Sequence, residues 1–154
     1  MIERPEITQT TEQLVARIHI TVPRHEIQTV MGPGITEVMS TLAAQGIAPA
    51  GPWFTHHSKM EPGVFDFDIC VPIATPVAPA GRVVPDRLPA TKVARAIYRG
   101  PYEGLADAWP QLDAWVAREG LRPREDLWES YVAGPESGSD PAQWATELNR
   151  PLLD

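Results

Sequence analysis

Apolar and polar residues alternate along this chain in two periods, and each period occurs twice. Residues 15–20 (V-A-R-I-H-I) follow the period-two pattern of a half-buried strand, and residues 93–98 (V-A-R-A-I-Y) repeat it. Ile35, Val38, Met39 and Leu42 then fall at the i, i+3, i+4, i+7 spacing of an amphipathic helix. Leu105, Ala108, Trp109 and Leu112 copy that stripe, and Trp115 and Val116 extend it. The helices are expected to open at Gly34 and Gly104. They are expected to close at Gly46 and Gly120, which read as left-handed caps, each followed three residues later by a proline. Strand starts lie 78 residues apart (Val15 to Val93), helix starts 70 and helix ends 74. Those differences predict a first strand–helix connection eight residues longer and a second helix longer by about one turn.

Two strands are expected after each helix, roughly 52–60 with 64–72 and 126–133 with 143–150. Each copy is thus strand–helix–strand–strand, over about 14–73 and 89–152. A proline-rich, partly extended connector (74–88) joins the copies, and a polar, exposed turn (134–141) closes the second hairpin. The fold class is α+β: two pseudo-symmetric repeats forming an antiparallel sheet with two helices, and a central ligand cleft between the repeats. About a dozen residues precede the first strand, too few for a fused helix-turn-helix. Pro110 falls inside the second helix, as a kink on its solvent side or as one that widens the groove.

Composition narrows the function classes. The 154 residues, 43 % hydrophobic, suit one globular domain over 1–154. There is no apolar run long enough for a membrane span and no basic-then-apolar leader. The lone Cys70 points to a reducing cytoplasm and reads as a small buried hydrophobe. A net charge of −7 argues against direct nucleic-acid binding. Adjacent His56 and His57 point to opposite faces of a strand, and His19 and His25 add no ligand spacing, so no metal is expected. Nucleotide-binding and serine-hydrolase motifs are missing, and G-P-G at 32–34 reads as a turn into a helix. No cofactor is implied.

The ordered series R-G-P-Y (99–102), A-W-P-Q-L-D-A-W (108–115), W-E-S-Y (128–131) and T-E-L-N-R-P-L (146–152) resembles the GyrI-like small-molecule-binding domain. That domain is the effector-binding part of some AraC-type and MerR-type multidrug regulators, and it also occurs as a stand-alone protein. The likeness runs from about residue 14 to residue 152. It implies a pseudo-symmetric antiparallel sheet with a cleft for bulky, aromatic, often cationic compounds and, in some stand-alone members, hydrolysis of cyclopropane-bearing natural products. The family's ligand-contacting acid maps onto Glu129, with Glu147 as the second.

The residues suit that chemistry. Strand alternation puts Glu129 and Tyr131 on one face and Trp128 and Ser130 on the other. Glu129 and Glu147 lie on strands expected to pair, so the two acids are expected to approach one another across the ladder. A carboxylate among Trp109, Tyr102 and Tyr131 would attract a flat cation by charge and by cation–π contact worth roughly 0.5–2 kcal/mol. Trp53 and Trp128 match in the two copies and read as core. That alignment sets Phe54 against Glu129, His56 against Tyr131 and Asp68 against Glu147, completing the candidate pocket. Two functions follow: a sensor or sequestering module for aromatic, cationic compounds, or a hydrolase with Glu129 or Glu147 as general acid/base and Tyr131 or Tyr102 polarising the leaving oxygen. Any DNA binding would come from a partner regulator protein; monomer and dimer stay equally open.

Overall fold

The computed structural model describes residues 2–58, 61–134 and 140–153. The polar turn expected at 134–141 therefore lies largely outside the described residues, as do positions 59–60 of the expected strand 52–60. Among the described residues the strands are β1 (Ile2–Gln9), β2 (Gln13–Pro23), β3 (Phe54–His57), β4 (Val64–Pro72), β5 (Val84–Leu88), β6 (Lys92–Arg99), β7 (Arg122–Pro123), β8 (Leu127–Ala133) and β9 (Ala145–Leu153). The helices are α1 (Ile27–Ala44) and α2 (Leu105–Arg118), each preceded by one 3-10 turn, Arg24–Glu26 and Tyr102–Gly104. The chain divides into two compact units, residues 11–90 and residues 1–10 with 91–154.

In the unit of residues 11–90 the antiparallel strand order is β3-β4-β2-β5. Ile18 lies opposite Ile69 and Ile20 opposite Phe67, so these four share a face, and α1 packs on it with Val38 and Leu42. All are at most 6 % exposed, and each such side chain contributes roughly 1.5–3 kcal/mol by leaving water. The opposite face is polar, carrying Arg17, His19, Asp66 and Asp68. In the other unit the order is β1-β6-β9-β8, with β7 also pairing β9. Ala94, Ala96, Tyr98, Leu148 and Leu152 make its helix-bearing face, against Ala108, Leu112 and Val116 of α2.

Both expected caps are present. Gly46 and Gly120 each have φ +70°, and Ile47 and Leu121 donate back to the carbonyls of Leu42 and Val116 at 2.9 and 3.1 Å. The start of α2 at Leu105, capped by Gly104, agrees with expectation, whereas that of α1 differs. α1 begins at Ile27 and runs straight through G-P-G, so it is the longer helix, at 18 residues against 14. Pro33 is exposed, where the missing N–H and the ring are tolerated, and Pro110 of α2 is likewise exposed. Gly34 is instead a contact point: a Cβ there would collide with Ile69 Cδ1 and lie 3.3 Å from Ile20 Cδ1. Gly104 does the same job against Tyr98, the repeat counterpart of Ile20. The recurring glycine thus marks where helix or turn presses on the sheet, and only at Gly104 does a helix also start beside it.

Three further strands among the described residues were not anticipated, β1, β5 and the two-residue β7. β1 pairs with β6 through a bulge at Arg4 (φ +53°) and uses residues expected to precede all structure. The connector is ordered as well: β5 pairs with β2, and Val77 and Val83 are buried in the α1-side core. Gln45, just past α1, clamps this segment by bonding both the N–H and the carbonyl of Ala78.

Candidate functional site

Alternation along β8 sends Glu129 and Tyr131 to the helix-bearing face, since Glu129 lies opposite Leu148 and Tyr131 opposite Thr146. There the Trp109 indole Nε1–H of α2 donates to Glu129 Oε2 at 2.6 Å, and the Tyr131 hydroxyl donates to Oε1 at 2.8 Å. Each carboxylate oxygen thus has one neutral donor. Tyr102 closes the group, edge-on to Tyr131 at 5.7 Å and tilted over Trp144 at 5.2 Å. The 3-10 turn carrying Tyr102 settles onto the sheet because Gly104 has no side chain where the Tyr98 ring lies, and Tyr98 Oη bonds the Pro101 carbonyl at 2.7 Å. Thr146 is fully buried on the same face, and its hydroxyl has no hydrogen-bond partner among the described residues.

The electrostatics are unbalanced. Glu129 is held above the ordinary carboxylate range by desolvation, which outweighs the opposing bonds from Trp109 and Tyr131. Among the described residues no cation pairs with it. Arg150 of β9 reaches it only indirectly, 5.3 Å from the centre of the Trp109 ring. A desolvated carboxylate flanked by aromatic rings, with no counter-ion among the described residues, can attract a cation, and it holds its proton more readily than an ordinary carboxyl.

Glu147 does not join this group. The register sets it opposite Ser130, so it projects from the face opposite Glu129, and the expected approach of the two acids does not occur. It pairs instead with Arg95 at 3.4 Å and meets Asn149 Nδ2 at 3.3 Å. Its repeat counterpart Asp68 behaves alike, 3.7 Å from Arg17 and 2.8 Å from His19, whose ring also meets Asp66 at 2.6 Å. These carboxylates hold His19 above its ordinary pKa.

The alignment of Phe54 with Glu129 and His56 with Tyr131 is off by one residue. Phe54 lies opposite Cys70 and His56 opposite Asp68, on the polar face of their sheet. Thr55, opposite Ile69, and His57, opposite Phe67, occupy the helix-side positions of Glu129 and Tyr131. The spacing from helix cap to strand carries the signal, since nine residues separate Gly46 from Thr55 and Gly120 from Glu129. Around His57 the first copy has an apolar set: the imidazole stacks on Phe67 at 5.1 Å and meets Phe65 at 5.7 Å. Arg24, opening its 3-10 turn as Tyr102 does, sits 4.3 Å over Phe65. Burial lowers the His57 pKa to about 4, and its Nδ1 has no partner among the described residues. The acid therefore exists in one copy only.

Of the remaining aromatic residues, Trp128 is buried at 4 % exposure and Trp53 packs partly buried on the α1-side core. Trp115 packs against the α2-side core. Cys70 is buried, with its thiol pushed well above the ordinary range by desolvation. Among the described residues no set of three metal-binding side chains converges, and no helix is long and apolar enough to cross a membrane.

The family profile of the GyrI-like small molecule binding domain matches residues 3–152. The crystal structure of the EcmrR C-terminal domain superposes with a TM-score of 0.88 at 23 % identity, covering 100 % of this chain and 99 % of that one. In its DNA complex EcmrR superposes at 0.87, again 23 % identical, over 98 % of this chain; this chain spans only 57 % of that EcmrR chain. A hydrolase from Listeria innocua superposes at 0.70 with 12 % identity, covering 98 % and 92 %. SAV2435, solved bound to tetraphenylphosphonium, superposes at 0.66 with 12 % identity, covering 97 % and 94 %. No curated protein sequence matches the chain.

Proposed function

Since the chain belongs to the GyrI-like small-molecule-binding family, we propose that it binds bulky aromatic cations at Glu129, as a sensor or sequestering module. The observation that carries this reading is the carboxylate itself: desolvated, bonded among the described residues by the neutral donors Trp109 and Tyr131, and flanked by Tyr102. A guest cation would supply the missing charge, and the rings would stack on its apolar body. SAV2435, a structural neighbour, holds an aromatic cation of this class, which supports the reading. Trp109 lies within hydrogen-bond reach of Glu129, so its fluorescence should report occupancy. The test is a quenching titration with N-methylacridinium, a permanent flat cation, against neutral acridine at alkaline pH. Saturable quenching by the cation, with a dissociation constant on the order of micromolar (about −8 kcal/mol), is expected. Linear quenching by both compounds would remove the reading.

A hydrolytic reading rests on the Glu129–Tyr131 contact at 2.8 Å, in which a carboxyl of raised pKa sits beside a phenol. In that role water would add to a strained ring carbon activated by a conjugated carbonyl. The ring C–C bond would break, its electron pair would move onto the carbonyl oxygen, and Glu129 would deliver its proton there, either directly or by passing it to Tyr131 as Tyr131 releases its own. Glu129 would be restored by taking the proton of the added water. Glu147, on the opposite face, takes no part in this scheme.

A further inference from the structure

Arg150 has no counterpart of its kind in the first copy, where the equivalent position on β4 is Val71, opposite Ala16 as Arg150 is opposite Ala94. Its side chain is only 12 % exposed, although its carboxylate partner, Asp113 of α2, is 44 % exposed. Nε and Nη2 reach the two Asp113 oxygens at 3.2 and 3.3 Å. Nη1 points to the carbonyls of Arg124, Glu125 and Asp126, at 3.4–3.5 Å. The planar group is thereby fixed from two sides, and its central carbon lies 5.3 Å from the centre of the Trp109 ring. An ion pair with an exposed acid stabilises a fold little, so an arginine held this firmly calls for another role. The cation against the indole restrains the ring and strengthens its N–H as a donor, and that N–H ends on Glu129 at 2.6 Å.

We propose that Arg150 is a positioning residue: it holds the Trp109 ring in the orientation that delivers its N–H to Glu129, and so sets how tightly the site holds a cation. The proposal rests on the reading of Glu129 as the cation-binding group. Among the described residues, the charged and titratable groups that share the helix-bearing face with Glu129 are Tyr131 of β8, Arg150 of β9, Tyr98 of β6, Asp113 of α2 and Tyr102 of the 3-10 turn. Asp113 is engaged by Arg150, and Tyr98 by the Pro101 carbonyl.

The test is the pH profile of N-methylacridinium binding in the full chain. Glu129 must be ionised to attract the cation, so affinity falls on acidification, with a midpoint set by its pKa. Arg150→Gln is expected to weaken binding several-fold at alkaline pH and to move the midpoint upward, because Glu129 loses a donor that favours its charged form. Trp109→Phe, which keeps a ring and deletes the N–H, is expected to move it in the same direction. The double variant is expected to move it no further. Arg150→Lys, which keeps the charge but not the two-point grip on Asp113, is expected to shift it less, and it carries the test if the Gln variant does not fold. A shift in Trp109→Phe with none in the Arg150 variants would overturn the positioning role and leave the Glu129 site standing. Additive shifts in the double variant would also overturn it. No shift in any variant would instead remove Glu129 as the cation-binding group.

Discussion

Replacing Glu129 with glutamine isolates the charge from the shape. Glutamine keeps an oxygen for the Trp109 N–H and an amide that can meet the Tyr131 hydroxyl, but it carries no charge. A cation about 4 Å from the carboxylate would gain roughly 4 kcal/mol at an effective dielectric of about 20. Part of that gain is consumed in desolvating the guest, so the expected loss in Glu129→Gln is about 1–3 kcal/mol, or roughly 5- to 150-fold in dissociation constant. The neutral analogue should lose much less. The same substitution should act on folding with the opposite sign. A carboxyl whose folded pKa is raised stabilises the fold fully below its unfolded pKa, and that contribution is lost as pH rises through the folded value. Above that window the wild-type chain carries the cost of a partly buried, desolvated charge and the glutamine variant does not. Titration calorimetry with N-methylacridinium and acridine, paired with thermal melts at alkaline pH, reads both effects. Equal affinity losses for both compounds, together with a lower melting temperature, would refute the reasoning and make Glu129 a structural residue.

Other outcomes follow from the same geometry. His57 has a folded pKa of about 4 against an ordinary 6.5, so the unfolded chain binds its proton first; stability present above 6.5 should fall by up to about 3 kcal/mol as pH drops to 4. Urea titrations of His57→Phe should show that slope flattened. Gly104→Ala should force the Tyr102 turn off Tyr98, costing about 1–3 kcal/mol of stability and weakening cation binding in the same melts and titrations. If the chain is a hydrolase, mass spectrometry should show several equivalents of ring-opened product from a cyclopropane-bearing aromatic substrate, abolished in Glu129→Gln and retained in Glu147→Gln. Cys70 should resist iodoacetamide until denaturant exposes it.

The duplicated strand–helix–strand–strand order is legible because the helix-facing positions of β2 and β6 stay apolar in both copies, with Ile18, Ile20, Ala96 and Tyr98 preserving that spacing. The caps are legible for a backbone reason, since only glycine takes φ +70° cheaply. The start of α1 was hidden by its G-P-G, which looks like a turn until the sheet-side contact of Gly34 is seen. β1 and β5 were hidden because edge strands tolerate proline and charge: Pro5, Arg4 and Glu6 in one, Pro85 and Asp86 in the other. At the site, simple alternation put Glu129 and Tyr131 on one face, while the choice of Glu129 itself came from the resemblance to the GyrI-like domain. The slip that named Phe54 and His56 came from anchoring on Trp53 and Trp128, whose identity outweighed the cap-to-strand spacing. Pairing register is a tertiary property, and a single residue decides which face receives Glu147.

A duplicated unit would ordinarily inherit two copies of whatever its ancestor bound, and so a valence of two. Here the second copy holds an acid and the first holds Thr55 at the same place, backed by a neutral imidazole and by Arg24, a cation supplied by the chain itself. Occupancy by a cation should therefore saturate at one guest per chain. The first copy, released from that role, is then free to diverge toward stability alone, so substitutions around His57 should change melting behaviour without altering stoichiometry.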